Sequence, residues 1–255
     1  MADALPNSDP QTGFPMLRNV GFSGVSVCFS DHLTEAANRA ALSFRARVDA
    51  AGLPGIIETT TSLTSAFVSY DPTVLPQGTL RDTLAALLKG EDWLAADLPE
   101  NRRLWRIPAS FSGVFAPQLE EAAALAGLTP AQAVDSIAGT QVRVMTLGFA
   151  PGQPYLGILP QDWDIPRQTG LTKNLPPGAI AVAIRQLVLF TTETPTGWRQ
   201  VGRCGFRGFR PEAPNPFALR PGDEIRFDPV SEDRMQDILA NDRTGNGAAS
   251  VEDIL

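Results

Sequence analysis

The sequence predicts an α+β chain in two parts, a split-βαβ (ferredoxin-like) module over residues 17–108 and an antiparallel β-barrel or sandwich over residues 109–230. Three observations predict it. Strand and helix periods alternate through the first part in the order βαββαβ, the second part is a series of short strands cut by Pro-Gly turns, and 255 residues suffice for two modest cores.

Residues 24–29 alternate as a strand, and Ala37, Ala41, Phe44, Val48 and Ala51 then mark one face of a helix that stops at Gly52. Extended runs follow at 56–61 and 66–70. A helix from Thr79 turns Leu80, Leu84, Leu87 and Leu88 inward, and a strand at 103–108 completes the six-element order. Beyond Pro108 come two short helices, 117–126 ended by Gly127 and 130–137 opened by Thr129 with Gln132 at capping-box spacing. Strands are then expected at 142–147, 179–184, 187–192 and 224–227. Pro177-Gly178 and Pro221-Gly222 suit type II turns, in which proline presets φ and glycine accepts the positive φ that follows. The tail from Ser231 is polar, and Asn241, Thr244, Gly245, Asn246 and Gly247 break any helix begun near Met235 to Leu239; residues 1–16 and 240–255 are expected to be flexible termini.

The formal charge of −7 gives no electrostatic basis for binding nucleic acid or an anionic membrane. No run of about 18 apolar residues occurs, and residues 1–18 lack the basic flank and apolar stretch of a signal peptide, so a cytoplasmic protein is expected. Cys28 and Cys204 stand far apart without metal-ligand spacing and are read as buried thiols, with no metal site expected. His32 is the only histidine. A Ser-His-Asp or Cys-His mechanism would have to use it, and its place after Asp31 at a helix start suits a capping or solvent-facing role instead.

The densest segment is Leu147-Gly148-Phe149-Ala150-Pro151-Gly152-Gln153-Pro154-Tyr155-Leu156-Gly157. Its glycines and prolines fix a loop while leaving backbone N–H groups and two aromatic faces to cradle a small planar or anionic ligand. The competing reading is a tight corner whose aromatics plug the barrel.

The strings LGFAPGQPYLGILP, IPRQTG, LPPGAIAVA, PTGWRQVGR and LRPGDEIRFDPV, with GVSVCFSD, PGIIE and SLTSAFVSYDP upstream, resemble in order and spacing the family of the bacterial 5-oxoprolinase B subunit. That family includes allophanate hydrolase subunit 1 proteins, Kip-type inhibitors of a sporulation kinase, and part of the carboxyltransferase domain of urea carboxylase. The resemblance implies an N-terminal α/β domain, a C-terminal cyclophilin-like β-barrel, and a partner, the 5-oxoprolinase C subunit or allophanate hydrolase subunit 2, with the A subunit as a further one. It implies ATP-dependent opening of 5-oxo-L-proline to L-glutamate by the complex. The implied alternatives are one half of a biotin-dependent carboxyltransferase and a non-catalytic protein inhibitor of a kinase. The candidate substrate-binding residues are Phe149, Pro151, Gly152, Gln153 and Tyr155 on the loop, with Gln186, Arg167, Arg199 and Arg203, the loop's free N–H groups and the arginines supplying donors and Gln186 a neutral bidentate partner for an amide. No catalytic residue is assigned. No GxxxxGK[ST] P-loop occurs, so any ATP site is built otherwise or lies on a partner. The chain also departs from the family pattern, with Ile137 and Val142 where relatives carry histidine and tyrosine and only the glutamine of a glycine-rich run kept, at Gln186. Such losses imply a changed substrate or a purely binding role.

Overall fold

The computed structural model describes residues 13–254. They form two compact units that divide between Pro99 and Glu100. Of the N-terminal stretch expected to be flexible, residues 1–12 lie outside the described part, and Met16 already belongs to the first strand.

The first unit contains β1 (Met16–Val20), β2 (Gly24–Cys28), α1 (Glu35–Ala51), β3 (Ile56–Ser62), β4 (Ser65–Tyr70) and α2 (Gln77–Leu88). Its strands run β1-β2-β4-β3, each antiparallel to its neighbour. Alternation puts Val25, Val27, Ala66, Val68 and Tyr70 on the face that meets Phe44 and Val48 of α1 and Leu80 and Leu84 of α2. The Thr34 hydroxyl caps α1 by accepting from the Ala37 N–H at 3.1 Å, and Gly52 ends it at φ 57°. The strand at 103–108, expected to complete this module, is absent from it. The edge position beside β2 is filled instead by β1, the near end of a hairpin.

The second unit begins with β5 (Arg102–Ser110), which carries those residues, so the boundary precedes 103–108 rather than following it. Then come α3 (Leu119–Leu125), α4 (Pro130–Gly139), β6 (Val142–Leu147), β7 (Pro154–Gly157), β8 (Thr172–Leu175), β9 (Ala179–Ala183), β10 (Gln186–Leu189), β11 (Thr194–Thr196), β12 (Arg199–Cys204), β13 (Glu224–Pro229), α5 (Glu232–Asn241) and β14 (Ser250–Ile254). The order β6-β13-β5-β12-β9-β10-β7, with β7 pairing back onto β6, closes a seven-stranded barrel. Closure removes the sheet edges that an open sheet would expose. One pair departs from the expected antiparallel plan, since β13 lies parallel to β5. Inside sit Ile107, Val144, Leu156, Ile180, Val182, Leu187, Leu189, Val201 and Phe227, all from alternate strand positions.

Both Pro-Gly turns behave as expected, with Gly178 at φ 84° and the Ala179 N–H reaching the Pro176 carbonyl at 3.0 Å, and Gly222 at φ 95°. The tail expected to be flexible is ordered through Ile254. Residues 232–241 form α5, and β14 pairs antiparallel with β5. Ile137 and Val142 are fully buried in the barrel core. Cys28 is only partly buried, unlike Cys204. His32 forms an exposed pair with Asp31 at 2.7 Å. No helix among the described residues is long and apolar enough to cross a membrane.

Candidate functional site

The alternation that sends Ile180, Val182, Leu187 and Leu156 into the barrel sends Ala179, Ala181, Ala183, Val188 and Tyr155 outward, where they join Leu175, Phe190 and Trp198 in a separate apolar cluster. The three alanines make this outer wall shallow. Strands β8 and β11 form a two-stranded ribbon that contributes Leu175 to the cluster. Beside it opens a cleft of about 240 Å³ lined by Phe149, Gln153, Tyr155, Arg167 and Trp198 among others. The glycine-proline corner therefore points at an open cleft on the outside of the barrel wall and does not plug its interior.

Trp198 organises the cleft. Its ring lies 6.2 Å from that of Tyr155 at 75°, an edge-to-face arrangement, and the Arg167 guanidinium carbon sits 5.2 Å from its centroid. Arg167 is held in place by its neighbour Gln168, whose main-chain N–H donates to the Gly197 carbonyl at 2.7 Å and whose amide donates to the Trp198 carbonyl at 2.9 Å. The Gln118 amide donates in turn to Gln168 at 2.9 Å. Arg167 itself is exposed and meets no carboxylate among the described residues. Gln153 is 1 % exposed, and its Oε1 is buried without a hydrogen-bond partner. A buried acceptor left unpaired costs about 1–3 kcal/mol, and such a group lining a cleft is a position a ligand donor would satisfy.

The expected residues divide. Phe149, Gln153, Tyr155 and Arg167 are brought together on the cleft. Pro151 is exposed on the loop. Gly152, at φ 66°, is buried behind it, where a Cβ would stand 2.7 Å from the Gly208 carbonyl oxygen. The loop's N–H groups are partly consumed, Gly148 donating to the Gln153 carbonyl at 3.0 Å and Gln153 to the Ala150 carbonyl at 3.1 Å. Gln186 shares the outward face of β10 with Val188 but does not line the cleft, although its Nε2 is also buried without a partner. Arg199 is a structural strut rather than a ligand contact, buried and tied to Glu121 at 2.8 Å and to the Pro166 carbonyl at 2.6 Å. Arg203 faces a different cavity. Trp198, Phe190 and Val188 were missed, although Trp198 stands inside the PTGWRQVGR string and was legible there.

Residues 15–219 match the family described as the carboxyltransferase domain, subdomain C and D. The chain belongs to that family. Among relatives of this carboxyltransferase-domain family, the 5-oxoprolinase B subunit of Bacillus subtilis is 31% identical over 223 residues, covering 85% of this chain and 93% of that protein. The Escherichia coli O157:H7 protein of the same name is 33% identical over 157 residues, covering 62% of this chain and 72% of that one. The crystal structure of TTHA0988 superposes with a TM-score of 0.69 at 29% identity, over 85% of this chain and 41% of that chain. Urea amidolyase of Kluyveromyces lactis shares the fold at 16% identity, with a TM-score of 0.70 over 93% of this chain and 16% of its own length. The present chain thus spans less than half of either structural neighbour.

Proposed function

We propose that this chain is the B component of a 5-oxoprolinase-like, ATP-dependent amide-opening complex, and that the cleft at Trp198 receives the cyclic amide. The observation that carries the reading is the unpartnered, buried Oε1 of Gln153 in a cleft that also presents Arg167 and two ring faces. A five-membered lactam acid has the matching groups. Its N–H donates to Gln153, its carboxylate pairs with Arg167, and its flat ring lies against Tyr155 and Trp198. The two bacterial relatives described above, both named as 5-oxoprolinase B subunits, support the substrate class. The lactam carbonyl is resonance-stabilised, so hydrolysis needs its oxygen activated, for which ATP is assigned to the assembled complex with its C and A components. The cytoplasm is the compartment proposed for it.

The test is reconstitution with the proposed C and A components and measurement of ATP-dependent glutamate release from 5-oxoproline. Arg167→Gln should weaken substrate use by about 10- to 100-fold, the worth of a charge-assisted hydrogen bond, with unfolding temperature unchanged because the side chain is exposed. A folded complex without glutamate release overturns the reading. The family's description as a carboxyltransferase domain favours a second one, half of a biotin-dependent carboxyltransferase, which predicts carboxyl transfer from carboxybiotin by the same complex.

A further inference from the structure

The barrel unit holds a second cavity, of about 230 Å³, between the Pro177-Gly178 turn, the segment that follows β12, and the C-terminal end of α5. Its charged lining is Arg203, Arg207 and Arg243 against one carboxylate, Asp242. That carboxylate is occupied locally, accepting the Thr244 N–H at 2.8 Å, the Thr244 hydroxyl at 2.6 Å and the Gly247 N–H at 2.5 Å. Arg207 is paired with Glu212 at 2.7 Å. Arg203 donates only to the Pro177 carbonyl, at 3.3 Å, and neither it nor Arg243 meets a carboxylate among the described residues. Burial draws the Arg203 pKa below the ordinary guanidinium value. Thr191 also lines the cavity, and its hydroxyl is buried with no partner.

A half-buried guanidinium with no counter-charge among the described residues has given up part of its hydration, and the Pro177 carbonyl returns a single long hydrogen bond. An oxyanion restores both deficits at once, offering charge to the arginines and an acceptor to the hydroxyl. We propose that this cavity is an oxyanion site that takes the phosphoryl group of a small ligand, held by Arg203, Arg243 and the Thr191 hydroxyl. Phosphoryl is favoured over carboxylate because the cavity is lined by donors from three separate segments, residues 191, 203 and 243, which suits three tetrahedrally arranged oxygens better than two coplanar ones. Phe209, Ile238 and Leu239 line the rest of the cavity, an apolar wall for whatever carries the phosphate. The proposal stands independently of the lactam reading.

The test is calorimetric titration and thermal unfolding of the full chain with inorganic phosphate, at ionic strength held constant with sodium chloride, with acetate as the carboxylate control. Saturable heat and a rise in unfolding temperature with phosphate, larger than with acetate, are expected. Arg203→Met and Arg243→Gln should each weaken phosphate at least tenfold. The Arg243 side chain is exposed, so that variant decides the matter alone should Arg203→Met fail to fold. An arm with ADP separates the sources: tighter binding than phosphate assigns a nucleotide, equal binding assigns the free ion. No response beyond the chloride control, acetate binding as well as phosphate, or unchanged affinity in the folded variants overturns the proposal.

Discussion

Ile184 and Arg185 sit at φ 45° and 60° at the tip of the hairpin joining β9 to β10, the backbone of a two-residue type I′ turn that normally calls for Asn and Gly. A branched side chain there costs roughly 1–2 kcal/mol. The turn is held by contacts outside the hairpin, with the Ile184 N–H donating to the Ile165 carbonyl and the Arg185 N–H to the Trp163 carbonyl, each at 2.8 Å. Ile184→Asn should therefore raise stability by about 1 kcal/mol, read from the denaturant midpoint. The sequence reads residue 184 as the last of a strand, because nothing in an isoleucine announces a positive φ imposed by distant carbonyls. Gln153→Leu carries a paired expectation. Replacing an unsatisfied buried amide by an apolar group of similar shape should stabilise the ligand-free chain by about 1 kcal/mol while weakening lactam use, so stability and activity should move in opposite directions. Cys204 is pushed up to about 12 by burial, from an ordinary 9.0. Its contribution to stability is present below pH 9.0 and is lost as pH rises towards 12, as the unfolded thiol ionises first. A thiol reagent at pH 8 should accordingly modify Cys28 in the native protein and Cys204 only after unfolding, counted by mass spectrometry.

Among elements, those marked by local chemistry were legible. Thr129 accepts from the Gln132 N–H at 3.3 Å while the Gln132 side chain accepts from the Thr129 N–H at 2.9 Å, the reciprocal box that its spacing announces. Thr129→Ala should cost about 1 kcal/mol in a urea titration. Strands β7, β8 and β11 were not legible, being three or four residues long and in part polar. In β12 the buried residues include Arg199 and Gln200, which are tolerated there because Glu121, the Pro166 carbonyl and the Phe115 carbonyl are placed to meet them. Periodicity reports burial only where burial is apolar. The helix α5 was legible by its end, since the Asn and Gly residues from position 241 onward stop a helix that runs through Met235 and Leu239.

For the molecule as a whole, the βαββαβ order was read correctly as a string from Gly24 onward, with β1 missed, and wrongly as a module. Which sheet a strand joins is decided by its partners, and Arg102–Ser110 finds β13, β14 and β12 in the barrel. That placement is pinned by charge. The Asp223 carboxylate, with a fully buried side chain, accepts from Arg103 Nε at 3.0 Å, from the Trp105 indole at 3.3 Å and from the Arg220 N–H at 2.9 Å. Asp223→Ala would strand Arg103 and should lose about 3–5 kcal/mol, seen as a collapse of the unfolding midpoint. Of the candidate site, the loop and Arg167 were legible as chemistry, whereas the separation of Gln186, Arg199 and Arg203 from it follows from strand registers no local pattern encodes. One ring joins what those registers keep apart, since Phe190 lines both the aromatic cleft and the arginine cavity. Were both proposed ligands bound, a rotation of that ring favouring one occupant would alter the other's dissociation constant, and by the same factor in the opposite experiment.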